Sequence, residues 1–352
     1  MTTLGLFASG TLAVHPAAAW YLADLSEFRG KQELYTRQSP QRLKALREHA
    51  LIESAVSSNR IEGVSIEAAR VRDVLVAARP LFRDRDEEEV RGYRDALAWI
   101  HGIDSASPRL DEATVLRLHA LARGEIWDAG RYKEKDADII ERYPDGRERV
   151  RFRTVAAAET PARMVKLLAD WQRCRDESWV HPLVALAAFN LDFLCIHPFR
   201  DGTGRVSRLL CLLQSYQLGY EAGRYISLER LIEQNEDRYY ETLEQSSQAW
   251  HEGRHDPWPY INYLLSILKT AYREFAERVG ETKTPRGAKR EQVLLEIERL
   301  AAQGGNFSIS ALEQNCSGVG RDMVRRVLRE QQAAGVVECK GRGPGASWGK
   351  KR

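Results

Sequence analysis

Apolar residues recur at helical spacing along most of this 352-residue chain. Ser39-Pro40 suits an N-cap with proline in the first turn. Leu43, Leu46, Ala50 and Val56 then mark one face, and Gly63 can end that helix in a left-handed conformation. The same periodicity predicts helices over 65–78, 87–100, 111–122, 161–173, 182–194, 203–218, 226–250 and 257–279. One stretch departs from it. Residues 139–143 and 149–153 flank Asp145-Gly146, a dipeptide that favours tight turns, and predict a short β-hairpin. Residues 281–287 are polar and carry Pro285, which reads as a linker. Helices over 289–303, 310–315 and 321–334 follow, then two short strands at 336–340 and 346–348.

Composition narrows the class. A hydrophobic fraction of 43% and a charged fraction of 29% exclude a disordered chain, and the length suggests two or three domains. The formal charge of +3 hides an asymmetry: from Arg286 onward there are 13 basic and 7 acidic residues, which leaves the preceding body slightly acidic. The cysteines are five, scattered, and without a CxxC pair. Neither a disulfide framework nor a zinc ribbon is indicated, and a reducing cytoplasmic compartment fits. The apolar stretch 4–25 has no basic residue before Arg29 and is interrupted at His15-Pro16. It is therefore expected to be an ordered segment packed on the body rather than a secretion signal. No run approaches ~20 apolar residues, so no membrane partner is expected.

Chemistry concentrates at 197–208, His-Pro-Phe-Arg-Asp-Gly-Thr-Gly-Arg-Val-Ser-Arg, between two predicted helices. Gly202 and Gly204 let backbone N–H groups converge on an anion, and the following helix adds its positive end. Arg205 and Arg208 can fork onto phosphate oxygens. Asp201 is a hard oxygen ligand for a phosphate-bound Mg²⁺. His197 is the loop's one side chain that titrates near neutrality, so it can accept a proton from an attacking hydroxyl. Each part alone is commonplace, whereas their joint occurrence within twelve residues is specific.

His197, Pro198, Phe199, Asp201, Gly202, Gly204, Arg205 and Arg208 together resemble the Fic family motif, and Phe193-Leu194-Cys195-Ile196 resembles its apolar lead-in. The resemblance implies a mainly α fold: a Fic-type helical bundle with a small β-hairpin flap. It implies a protein adenylyltransferase that moves AMP from ATP, with Mg²⁺, to a Tyr, Thr or Ser hydroxyl of a target protein or of itself. His197 would be the base and Asp201 the metal ligand. The nucleotide would lie along Asp201, Gly202, Thr203, Gly204, Arg205, Val206, Ser207 and Arg208, with Tyr239 and Tyr240 near the adenine or ribose. Paired tyrosines on a helix also suit a core. Doc-type toxins replace the second glycine by lysine and phosphorylate instead, so Gly204 points to nucleotidyl transfer. The family usually has Asn at Thr203, and β-branched Thr does not suit left-handed angles, so an intact pocket of weaker activity is expected. The hairpin at 139–153 takes the place of the family's flap, along which a target segment docks as an added strand.

Ser58-Asn59-Arg60-Ile61-Glu62-Gly63 resembles the family's inhibitory pattern. It implies that Ser58, Glu62 and Gly63 form a regulatory element in which Glu62 engages Arg208. The residues alone also allow a solvated glutamate beside a helix-ending glycine. The tail's element order resembles a winged helix-turn-helix, with Arg321, Arg325, Arg326 and Arg329 on one helix where DNA phosphates could be met; dimerisation or docking are the alternatives. The expected division is 1–110, an N-terminal region with the inhibitory helix; 111–280, the catalytic core; the 281–287 linker; and 288–352, the winged helix. A homodimer is left open. The alternative function is a DNA-binding regulator or toxin-like module whose core is weakly active or only senses nucleotide.

Overall fold

The computed structural model describes residues 2–36, 40–77, 81–103, 110–142, 145–280, 288–302, 306–316, 319–341 and 346–350. The chain divides into two compact units, Met1–Glu277 and Arg278–Arg352. The expected 281–287 linker and Ser39 lie outside the described residues.

In the first unit the helical periodicity becomes α1 (Thr3–Ala8), α2 (Pro16–Thr36), α3 (Pro40–Ile61), α4 (Val71–Leu75), α5 (Arg85–Gly102) and α6 (Glu112–Arg123). The hairpin β1 (Ile139–Arg142) and β2 (Glu148–Phe152) follows. After it come α7 (Thr160–Glu177), α8 (Pro182–Ile196), α9 (Thr203–Gln217), α10 (Leu228–Glu233), α11 (Glu236–Ser247) and α12 (Trp258–Gly280). The most apolar of these, α8, is buried on every side, as a helix without a polar face must be. His181 caps its start, its Nδ1 accepting from the Leu183 N–H at 3.2 Å, and Pro182 fills the first turn. The last two turns of α3, from Ser54 to Ile61, are buried apart from Arg60, and Gly63 follows at φ 77°.

One expectation holds and two shift. The apolar stretch at 4–25 folds as α1 and the first half of α2. Its anchor is polar: the Thr3 N–H and hydroxyl both donate to the buried Asp192 of α8, at 2.8 and 2.6 Å. The helix expected over 65–78 contracts to α4, because a turn from Glu67 to Arg70 precedes it and Arg70 reaches across to Glu87 at 2.8 Å. The helix expected over 226–250 breaks at Gln234-Asn235, where the Asn235 side chain bonds the Leu231 carbonyl and closes α10. Among the described residues no helix is long and apolar enough to cross a membrane.

The second unit holds α13 (Ala288–Ala302), β3 (Phe307–Ser308), α14 (Ile309–Asn315), α15 (Arg321–Ala333), β4 (Val337–Lys340) and β5 (Ser347–Lys350). Its antiparallel sheet runs β3-β5-β4, with Cys339 opposite Trp348. Val293, Ile297, Leu312, Val324, Leu328 and Trp348 belong to its core. Strand β3 is too short to leave a period-two signal in the sequence.

Burial holds four histidines of the first unit well below the ordinary imidazole range: His101 to about 3, and His119, His197 and His255 to about 4. The unfolded chain binds these protons near pH 6.5 and the folded chain does not, so stability falls as pH drops from about 6.5 toward 4. Each histidine contributes up to about 1.4 kcal/mol per pH unit. Denaturant midpoints measured across that window should decline steadily, and a flat profile would contradict the neutral, buried state of these rings.

Candidate active site

His197 ends α8 in the left-handed conformation, φ 51°, with its N–H on the Phe193 carbonyl. Few non-glycine residues sit there, and such a residue persists only when its surroundings fix it. Phe199 is buried beneath it and stacks on His119 of α6, ring centroids 3.8 Å apart. His119 Nε2 meets the Asp201 carbonyl at 3.1 Å and its Nδ1 accepts from the Gly130 N–H. Gly202, at φ 83°, starts α9. The first intrahelical bond runs from Val206 N–H to the Gly202 carbonyl, so the N–H groups of Thr203, Gly204 and Arg205 precede the ladder and form the positive end of the helix.

Thr203 does not take left-handed angles. It is the first residue of α9, buried, with its hydroxyl folded back on the Phe199 backbone at 3.3–3.4 Å. The steric concern over a β-branched residue therefore does not arise, and the hydroxyl closes the loop instead of facing a nucleotide. Val206 packs in the core, and the Ser207 hydroxyl bonds Asn190 at 3.1 Å. Neither side chain reaches the site.

Arg205 also differs from expectation. It is 1% exposed and turned inward onto Glu89 of α5, with Asn59 Oδ1 at 3.3 Å and Asp201 Oδ1 at 3.1 Å. Its guanidinium braces the loop, and its charge is taken up by two carboxylates. Glu89 also accepts from Arg123 at 2.6 Å, which in turn holds Asp201 Oδ2 at 2.8 Å. Against the opposing effect of burial, Arg205 and then Arg123 hold Asp201 below the usual carboxylate range. The Asp201 side chain stays 48% exposed. It is ionised, fixed and reachable, which fits a Mg²⁺ carried in on phosphate oxygens. Among the described residues no cluster of three or more His, Cys, Asp or Glu could hold a metal unaided.

Arg208, one turn further along α9, points to α3. Its Nε donates to Ser58 Oγ at 2.8 Å, and its Nη2 donates to the Ser58 carbonyl at 2.8 Å and to Glu62 Oε1 at 2.7 Å. The same Glu62 oxygen lies 2.2 Å from where a Cβ on Gly204 would stand. The carboxylate thus rests directly against the first turn of α9, where an anion is favoured.

Glu62 and Gly204 border a cavity of about 230 Å³ that is also lined by Arg151, His197, Tyr239 and Tyr240, among others. Tyr239 is buried; the Tyr240 hydroxyl donates to the Ile61 carbonyl at 3.1 Å, tying the cavity wall to the end of α3. The hairpin closes one side: Arg151 donates to the Tyr240 carbonyl at 2.6 Å and Arg149 pairs with Glu244. His197 Nδ1 is buried with no hydrogen-bond partner. Burial, reinforced by the Lys133 ammonium and opposed by Glu62, lowers its imidazole to about 4, so the ring is neutral and able to accept a proton at pH 7.

Sequence reasoning missed Glu89, His119, Arg123 and Lys133. Glu89 lies in a Glu87–Glu89 run that reads as a solvated face, and Lys133 lies in a run of mixed charge, Lys133-Glu134-Lys135-Asp136, that reads the same way.

Residues 109–215 match the Fic/DOC family. The chain is 25% identical over 228 residues to the protein adenylyltransferase Fic of Nematostella vectensis, a match covering 63% of this chain and 47% of that protein. It spans about half the length of the curated relatives it matches. A Fic family protein from Desulfovibrio desulfuricans G20 shares the fold over 97% of both chains, with TM-score 0.62 and 24% identity. A Fic domain containing signaling protein from Bacteroides thetaiotaomicron matches 73% of this chain and 98% of its own, with TM-score 0.60 and 21% identity.

Proposed function

We propose that this chain, whose residues 109–215 form a Fic/DOC-family domain, is a protein adenylyltransferase held in check by its own helix α3. The observation that carries the reading is what one loop and the helix after it hold together: a neutral His197 and Gly204 line the same cavity, an ionised Asp201 lies between them in sequence, and Arg208 follows one turn along α9. The relatives named adenylyltransferase agree with it.

In this mechanism the His197 imidazole takes the proton of a target Tyr, Thr or Ser hydroxyl. The freed oxygen attacks the α-phosphorus of ATP, the bond from that phosphorus to the α,β-bridging oxygen breaks, and pyrophosphate leaves. The N–H groups at the start of α9 and the Arg208 guanidinium receive the phosphate oxygens. Bound at Asp201, Mg²⁺ would neutralise charge on the phosphates. Arg205 keeps Asp201 and the loop in place from behind. The hairpin offers β1 or β2 as an edge for a target strand.

In the resting state Glu62 fills the anion seat over Gly204 and occupies Arg208, so the terminal phosphates of ATP lack their productive place. Transfer of label from α-labelled ATP in the presence of Mg²⁺, compared among wild type, Glu62→Gly and His197→Ala, tests both halves of the reading. The five cysteines are free thiols, which fits a reducing cytoplasmic compartment.

We further infer that the second unit is a winged helix-turn-helix that binds DNA. Its order α13-β3-α14-α15-β4-β5 and the four exposed arginines of α15 favour this. Duplex binding should weaken steeply as salt rises from 50 to 200 mM, by about tenfold or more even for a few phosphate contacts. Binding that is absent, or indifferent to salt, would leave docking or dimerisation as the role of this unit.

A further inference from the structure

We propose that Lys133 is a positioning residue for the transfer reaction, gripping the backbone on both sides of His197 and facing its imidazole with a positive charge. The inference rests on the adenylyltransferase reading for its consequence, but its geometry stands apart from it. Lys133 is 5% exposed, in the loop between α6 and β1. Its backbone N–H donates to the Pro198 carbonyl at 2.9 Å. Its ammonium donates to the Ile196 carbonyl at 3.2 Å and to Thr154 Oγ1 at 2.7 Å. The residues before and after His197 are thus both fastened to one lysine. Thr154 follows β2 and is itself anchored, its hydroxyl bonded to the Ala137 carbonyl at 2.8 Å. The base of the hairpin and the catalytic loop therefore share a single tie.

Such a tie answers a definite need. A histidine at φ 51° sits in an unfavourable conformation that has to be imposed by its neighbours. A buried ammonium is also expensive unless its donors are used, and here the Ile196 carbonyl and the Thr154 hydroxyl take two of them. Asp136 and Asp138 act on it from further off, and burial still brings Lys133 down to about 8.

Charge separates this role from plain bracing. The charged groups facing His197 are Lys133 from its loop, Glu62 from the end of α3 and Asp201 from the loop before α9. Both carboxylates favour the imidazolium, and Lys133 alone of the three opposes it. Without the ammonium the ring would face two anions and would hold a proton to higher pH, leaving less of it in the form that accepts one.

The test is the titration of the His197 imidazole by NMR, its resonance identified by its loss in His197→Ala. It is followed in wild type, Lys133→Arg, Lys133→Met and Lys133→Gln. The expected result is a midpoint moved to higher pH in Lys133→Met and Lys133→Gln and kept near the wild-type value in Lys133→Arg. In a Glu62→Gly background, transfer at pH 6 should fall by up to about 100-fold with Met or Gln. Arg should recover it to within about tenfold. Should Met prevent folding, Gln, which keeps a donor and discards the charge, carries the comparison. A His197 midpoint unmoved by loss of the charge overturns the proposal. If the Glu62→Gly parent transfers no label, the activity reading fails, while the midpoints still decide whether Lys133 governs the imidazole.

Discussion

Replacing Glu62 by glycine should raise the proposed AMP transfer from α-labelled ATP, both to a target and to the protein itself, by roughly 5–150-fold, the range of a typical coupling free energy between two sites. The physical cause is competition. The Glu62 carboxylate lies 2.7 Å from Arg208 and against the first turn of α9, the two places where terminal phosphates would be received. Glycine vacates both and disturbs little else, since Gly63 already ends α3 and Ser58 keeps its two bonds to Arg208. The variant also leaves a buried guanidinium without its counter-ion. It should therefore melt below wild type without nucleotide and regain stability when ATP is added. Equal transfer rates in wild type and variant would show that the contact is not a brake.

Replacing His197 by alanine should lower the proposed transfer by about 10²–10⁴-fold, the usual contribution of a general base, while ATP affinity should stay within a few-fold of the parent. The ring's neutral state leaves it able to accept a proton at pH 7. The anion seat, by contrast, belongs to α9 and Arg208, which the substitution leaves untouched. The comparison is cleanest in the Glu62→Gly background, where binding is not masked by the competing carboxylate. Retained transfer would remove His197 from the chemistry; lost ATP binding would mean that it holds the loop more than it acts as a base.

Local sequence made the loop at 197–208 legible, because its glycines, aspartate and histidine act through backbone and neighbours a few residues away. It could not sort the two arginines. Arg205 and Arg208 are three apart on one helix, and nothing nearby in sequence says that α5 offers Glu89 to the first while α3 offers Glu62 to the second. Thr203 misled for a similar reason: the left-handed residues are His197 and Gly202, both before the position where the strain was expected. The Glu62–Arg208 pairing spans 146 positions and came from family resemblance, not from charge pattern. Lys133 and Glu89 read as surface residues because burial of a charge depends on partners the chain supplies only once folded.

Gly204 sets how such a protein could escape its own restraint by mutation. The space where its side chain would stand is claimed by Glu62 at rest and, in the proposed mechanism, by phosphate during turnover. Any larger residue at 204 therefore evicts inhibitor and substrate together, and the loop offers no route to a constitutively active enzyme through that position. Gain-of-function variants should instead accumulate at Glu62, just past the last turn of α3, where a single change removes the inhibitor and leaves the nucleotide seat whole. In a selection for toxicity or for suppression of it, hits at 204 would all be losses and hits at 62 would be gains, so the two positions read out the direction of selection.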